Sequence, residues 1–226
     1  MPRVSDAHKD AVRRRLMDAA ITCLQRNGYR DITTRELLAE AGLSTGTFYN
    51  YFPSKEHLYE ALAEELLAHD IERLLKQHAD GQSLGYGLLR FLSDYAMVEP
   101  EAAVAVSTFR GRVHETGEAA EAIARLNRFV VEGFTPLVQQ AQAEGFLRPD
   151  IDPEATVELL DIIWDGLGRR QATGTFQTSY RRVGETVLKI LLSGALAPGR
   201  QIDTSETAPR PVPPNPRFAR PRASRR

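Results

Sequence analysis

Apolar residues recur at helical spacing from the start of the chain. Val12, Leu16, Ala19, Ala20, Cys23 and Leu24 share one face, with Arg13, Arg14, Asp18 and Thr22 elsewhere on the wheel. Ser5 or Asp6 is placed to cap this helix and Gly28 to stop it, which predicts a helix over about 6–27. The second helix opens on a T-x-x-E capping box, Thr33 and Glu36, flanked by Ile32 and Leu37 as a hydrophobic staple, and it ends at Gly42. Ser44 caps a very short helix over about 45–51, whose Phe48 and Phe52 point inward while Tyr49 turns away beside Thr45. Pro53 and Ser54 end that unit, and Ser54 caps a longer helix through about Gln77, with Leu58, Leu62, Leu66 and Leu74 in helical register.

The remainder repeats the pattern. Gly81, Gly85 and Gly87 read as a loop, followed by a helix over about 86–97 and another, opened by Pro100, over about 100–114. A long helix over about 118–144 carries Pro136 as a kink. Asp152 and Pro153 form a cap followed by proline at the first helical position, opening the eighth predicted helix, which reaches about Ala172; the ninth covers about 179–195. No segment alternates with period two, so the fold class is all-α with about nine helices and no strands. From residue 199 the chain turns rich in Pro and Arg and poor in large apolar groups, and is expected to be disordered.

Composition narrows the classes. With 226 residues, 42% hydrophobic and 26% charged, the chain reads as a globular, cytoplasmic protein. No apolar run reaches the roughly 18 residues of a membrane span, and no apolar segment follows the first charges as in a signal peptide. A single cysteine, Cys23, excludes an internal disulfide framework and a cysteine-rich zinc site; it lies on an apolar face and reads as core. The net charge of −1 hides a distribution of +1 over residues 1–60, −7 over 61–198 and +5 over 199–226. Nucleic-acid binding by the head would therefore rest on local donors and helix dipoles rather than on bulk charge.

Two short helices joined by a tight turn and packed on a longer first helix make a helix-turn-helix, the third helix being the one that enters a major groove. Its chemistry fits. Thr45 and Thr47 offer hydroxyls and methyls, Gly46 leaves room for close backbone approach, Tyr49 and Tyr51 carry phenols and Lys55 adds charge. The segment Gly28-Tyr29, Ile32-Thr33-Thr34-Arg35 with Leu37, Leu38 and Ala41, and the unbroken run from Gly42 to Leu58 closely resemble the DNA-binding head of TetR-family transcriptional regulators, over about residues 10–60. The resemblance implies a helix-turn-helix DNA-binding domain over 1–54, a helical ligand-binding and dimerisation domain over 55–198, and a basic tail over 199–226. It also implies contacts to double-stranded DNA from Thr33, Thr34, Arg35, Thr45, Gly46, Thr47, Tyr49, Asn50, Tyr51 and Lys55, with Asn50 standing where the family often has histidine. The implied function is that of a homodimeric repressor released from a palindromic operator by a small molecule. The alternative from another class is a helical adaptor that binds no DNA.

The eighth and ninth predicted helices are apolar on more than one side, at Val157, Leu159, Leu160, Ile162, Ile163, Trp164 and Leu167, and at Val183, Val187, Leu188, Ile190, Leu191 and Leu192. They are expected to form the homodimer interface, with Gly166 and Gly168 allowing close approach. Tyr86, Phe91, Tyr95, Met97, Phe109, Val113, Phe129, Phe134 and Trp164 are candidates for lining a cavity for a small apolar or amphipathic effector. Arg110, Arg112 and His114 are candidates to orient a polar group, although the arginines read better as solvated surface. No enzyme chemistry stands out. Gly42-Leu43-Ser44-Thr45-Gly46 satisfies G-x-S-x-G, but it follows a capped helix rather than a strand. The five histidines show no H-x-x-x-H pair and no phosphate loop is present, so neither a metal nor a cofactor is expected.

Overall fold

The computed structural model describes residues 6–27, 32–97, 110 and 117–199. Eight helices are found among them: α1 (Asp6–Asn27), α2 (Thr34–Ala41), α3 (Thr45–Tyr49), α4 (Lys55–Ala79), α5 (Leu84–Met97), α6 (Gly117–Ala143), α7 (Pro153–Thr173) and α8 (Tyr180–Ala195). The fold is all-α; among the described residues the one extended pairing is an isolated antiparallel bridge between Leu147 and Leu196. The helix predicted over 100–114 lies outside the described residues apart from Arg110, as do Gly28 and the tail from residue 200. Two units divide between Leu58 and Tyr59.

In the first unit, α1 packs on α2, and α2 on α3. The core comprises Leu16, Ile21, Ile32, Leu37, Phe48, Phe52 and Leu58. Met17 and Ile21 are buried with the predicted α1 stripe, so the helix buries a broader face than Leu16, Ala19, Ala20 and Cys23 alone. The Arg13 guanidinium lies over the Phe52 ring at 4.9 Å from its centroid, covering the core edge with a cation–π contact.

In the second unit α5 is central, packing on both α6 and α8, while α6 also packs on α7. Leu74, Leu84, Leu88, Phe91, Val130, Phe134, Val138 and Phe146 belong to one core. Gly85 and Gly87 do not form the expected loop; they lie inside the first turns of α5. Their reason is packing. A Cβ at Gly85 would stand 2.1 Å from Phe146, and one at Gly87 would stand 3.3 Å from Leu74. The true turn is at Gly81, with φ +88°. α5 also begins earlier than expected because its cap comes from a distant side chain. Glu144, just past α6, accepts from the Ser83 hydroxyl at 2.8 Å and from the Leu84 amide at 3.0 Å. Past α6, the Arg148 amide donates to Ala195 and the Ala197 amide to Phe146, tying the end of α8 to this turn.

Candidate nucleic-acid interface and cavity

The helix-turn-helix is built from paired caps. The Thr33 hydroxyl accepts from the Glu36 amide at 3.2 Å, and Glu36 returns a carboxylate to the Thr33 amide at 2.8 Å. Gly42 closes α2 with φ +59°, sending its amide to Ala39 while Leu43 reaches Leu38. A side chain at Gly42 would be strained by that φ, and its Cβ would also meet Arg15 at 2.8 Å. Two residues later Ser44 starts α3, accepting from the Thr47 amide at 3.3 Å. The serine of the G-x-S-x-G string is thus a helix cap. α3 is regular only to Tyr49, two residues short of the expected end. The Asn50 amide bonds to Thr47 and the Tyr51 amide to Phe48, which tightens the last turn to three-residue spacing.

The candidate contact residues divide by environment. Thr33, Arg35, Thr45, Gly46, Tyr49 and Asn50 are exposed, and Thr34, Thr47, Tyr51 and Lys55 are half-buried. Tyr49 is 57% exposed, its ring held edge-on to buried Phe48 at 5.3 Å. Nothing lies within 4 Å of where a Cβ of Gly46 would stand. Two candidates carry structural bonds that the sequence did not signal. The Thr47 Oγ1 lies 2.8 Å from the Ser44 Oγ. The Lys55 ammonium donates to the Ile32 carbonyl at 3.0 Å, tying the start of α4 to the entry of α2.

The second unit contains a cavity of about 160 Å³. Of the expected lining residues, Phe91, Phe134 and Trp164 line it, and Tyr86 and Phe129 do not; Val130 and Val138 complete the α6 wall with Phe134. Phe109, Val113 and the Tyr95 side chain lie outside the described residues. Arg110 corrects the expectation of a solvated arginine. It is 8% exposed, lines the cavity, and donates through Nη1 to Asp161 Oδ1 at 2.8 Å. Burial pushes the Asp161 carboxyl above the ordinary aspartate range, against the pull of Arg110. Ile162 and Ile190 are strongly exposed, at 63% and 66%, and Leu159, which also lines the cavity, is 49% exposed. A Cβ added at Gly166 would have nothing within 4 Å of it. No described helix is long and apolar enough to cross a membrane.

The family model for bacterial regulatory proteins of the tetR family matches residues 16–62, the segment whose caps and core are described above. The match lies in the head, which is similar to the DNA-binding head of tetR-family regulators. Similarity extends beyond the head. Over 177 residues it is 26% identical to the HTH-type transcriptional repressor Rv1474c of Mycobacterium tuberculosis, covering 77% of this chain and 89% of that protein. Over 62 residues it is 40% identical to the HTH-type transcriptional repressor KstR of Rhodococcus jostii, covering 27% of this chain and 29% of that one. The solved structure of reduced E. coli NemR matches with a TM-score of 0.62 at 19% identity, covering 84% of this chain and all of that one, and so shares its fold. The chain is a DNA-binding transcriptional regulator, and the adaptor alternative gives way to this reading.

Proposed function

We propose that the chain acts as a homodimeric repressor that grips a two-fold operator through α3 and lets go when a small apolar or amphipathic effector fills the cavity of the second unit. The observation that carries the DNA reading is the outer face of α3. Thr45, Tyr49 and Asn50 are exposed around a glycine with open space beside it, while Phe48 holds the inner face in the core. On this reading Thr45, Thr47 and Asn50 contact base edges, Thr33, Thr34, Tyr49, Tyr51 and Lys55 reach phosphates, Arg35 adds charge, and Gly46 lets the backbone approach. Domain roles follow: residues 1–54 bind DNA, 55–198 sense and dimerise, and the basic tail adds non-specific attraction for the duplex.

Exposed Ile162 on α7 and Ile190 on α8 support dimerisation through these helices. Two recognition helices in successive grooves must stand roughly 34 Å apart, or a multiple of it. An effector releases the operator only by binding a non-competent arrangement of the dimer more tightly than the competent one. Selection of bound fragments from random duplex DNA tests the proposal. A dyad-symmetric consensus is expected, and sequence-indifferent binding would overturn it.

A further inference from the structure

Apolar side chains from α4 to α8 form most of the cavity wall, and apart from Thr156, whose hydroxyl donates to the Asp152 carbonyl at 2.6 Å, one group of residues breaks the pattern. Asp161, Trp164 and Asp165 stand at i, i+3 and i+4 on one face of α7, and Arg110 joins them through Asp161. The hydrogen bonding here is incomplete. Arg110 uses Nη1, but its buried Nε and Nη2 have no partner among the described residues, nor do buried Trp164 Nε1 and Asp165 Oδ1. Buried donors without partners are unfavourable, and such groups beside a cavity await an acceptor. Donors outnumber acceptors, which calls for a ligand oxygen with two lone pairs.

Charge decides which oxygen. The Arg110 guanidinium is already balanced by Asp161, and Asp165 is paired with Arg169. Glu158 on the same helix adds a further negative charge that acts on Asp161. A carboxylate ligand would lose its hydration and meet this acidic helix face. An ammonium ligand would bring more donors to a site with a single open acceptor, Asp165 Oδ1, and would set its charge beside Arg110.

We propose that the cavity takes an uncharged, largely apolar molecule bearing a single oxygen function, a carbonyl or a hydroxyl, held by Trp164 Nε1 and the free arms of Arg110. A cavity of this volume suits a small body such as one ring or a short alkyl chain. The inference rests on the cavity being the effector site, and deepens that reading.

The chain has one tryptophan, so Trp164 emission reports on this wall alone. Titration of the full chain with 2-octanone, 2-octanol, octanoate and octylammonium, followed by Trp164 emission and calorimetry, tests the class. The ketone and the alcohol are expected to shift the emission and to bind at least tenfold more tightly than either ion. Trp164→Phe, followed by calorimetry, is expected to weaken the ketone several-fold. Asp161→Asn frees the Arg110 charge and is expected to raise octanoate affinity at least tenfold, a gain that loss of folding cannot produce. Octanoate or octylammonium matching the ketone on the unaltered chain would overturn the ligand class while leaving the cavity as an effector site. Silence from all four probes would overturn both.

Discussion

Glu60 of α4 receives both arms of the Arg125 guanidinium from α6, Nε at 2.5 Å and Nη2 at 2.8 Å. The partners are unequally placed, since the Glu60 side chain is 8% exposed and that of Arg125 is 42% exposed. Losing Glu60 leaves a cation that water can reach; losing Arg125 leaves a buried carboxylate with no comparable escape. Glu60→Ala is therefore expected to lower stability by about 1–2 kcal/mol, and Arg125→Ala by about 2–4 kcal/mol. Urea denaturation of the two variants gives the order directly, and equal or reversed losses would mean that the pair is held by something else.

Gly46→Ala separates folding from DNA binding. The site is helical and open, so alanine fits, and the helix gains about 0.5–1 kcal/mol from the lower entropy of the unfolded chain. Operator affinity, measured by fluorescence anisotropy on the selected consensus, is expected to fall at least tenfold as the added methyl holds the backbone off the duplex. A rise in Tm with unchanged affinity would remove Gly46 from the interface.

Tyr49 gives the complementary case. Its ring is mostly exposed and its main internal contact is the edge of Phe48. Tyr49→Ala is expected to weaken operator binding while costing only about 0.5–1 kcal/mol of stability. Tyr49→Phe keeps the ring and removes the hydroxyl. If it binds the operator like the unaltered chain, the phenol makes no phosphate contact.

Exposure at Ile162 and Ile190 means that a charge can be introduced there without disturbing the core of one protomer. Ile162→Asp combined with Ile190→Asp is expected to give a folded monomer in sedimentation analysis, with operator affinity reduced by several orders of magnitude. A dimer that survives both changes would place the interface elsewhere.

Glu144 supplies a pH test. Burial pushes its carboxyl up, but the Ser83 hydroxyl, the Gly85 and Leu84 amides and His78 together bring it below the ordinary glutamate range. A carboxyl depressed by folding stabilises the native state fully above its unfolded pKa of about 4.3, and this contribution disappears as pH falls through the lower folded value. The Tm gap between the unaltered chain and Glu144→Gln is thus expected to be open above about pH 5 and to close as the pH falls below about 4. A gap that is constant across that range would show that the carboxylate's charge is irrelevant to the cap.

Local chemistry was readable and distant chemistry was not. The Thr33–Glu36 box, the Ser44 and Asp152 caps and the left-handed Gly42 each act within four residues, so spacing alone revealed them. The start of α5 depends on Glu144, 60 residues away, and without it Gly85 and Gly87 resembled a loop. Arg110 resembled solvated surface because its partner, Asp161, lies 51 residues further on. Phe91, Phe134 and Trp164, expected from aromatic spacing, do line the cavity, but Phe129 does not, because periodicity marks a buried stripe without saying which part of it faces a void. The bond from Lys55 to the Ile32 carbonyl left no sequence signal, because a backbone acceptor has no residue type.

One end of α5 is fastened in two ways: Glu144 holds its first amides, and Gly85 sits against Phe146 with no room for a methyl group. Phe91, two turns further on, forms part of the cavity wall. A rod pinned at one end responds to a load along its length by swinging, and the displacement grows with distance from the pin. Over 14 residues a tilt of about five degrees carries the far end of α5 by about 2 Å. If the cavity is the effector site, the Glu144–Phe146 corner is the expected fulcrum, and a ligand pressing near Phe91 is expected to displace the Met97 end of α5 more than its pinned end.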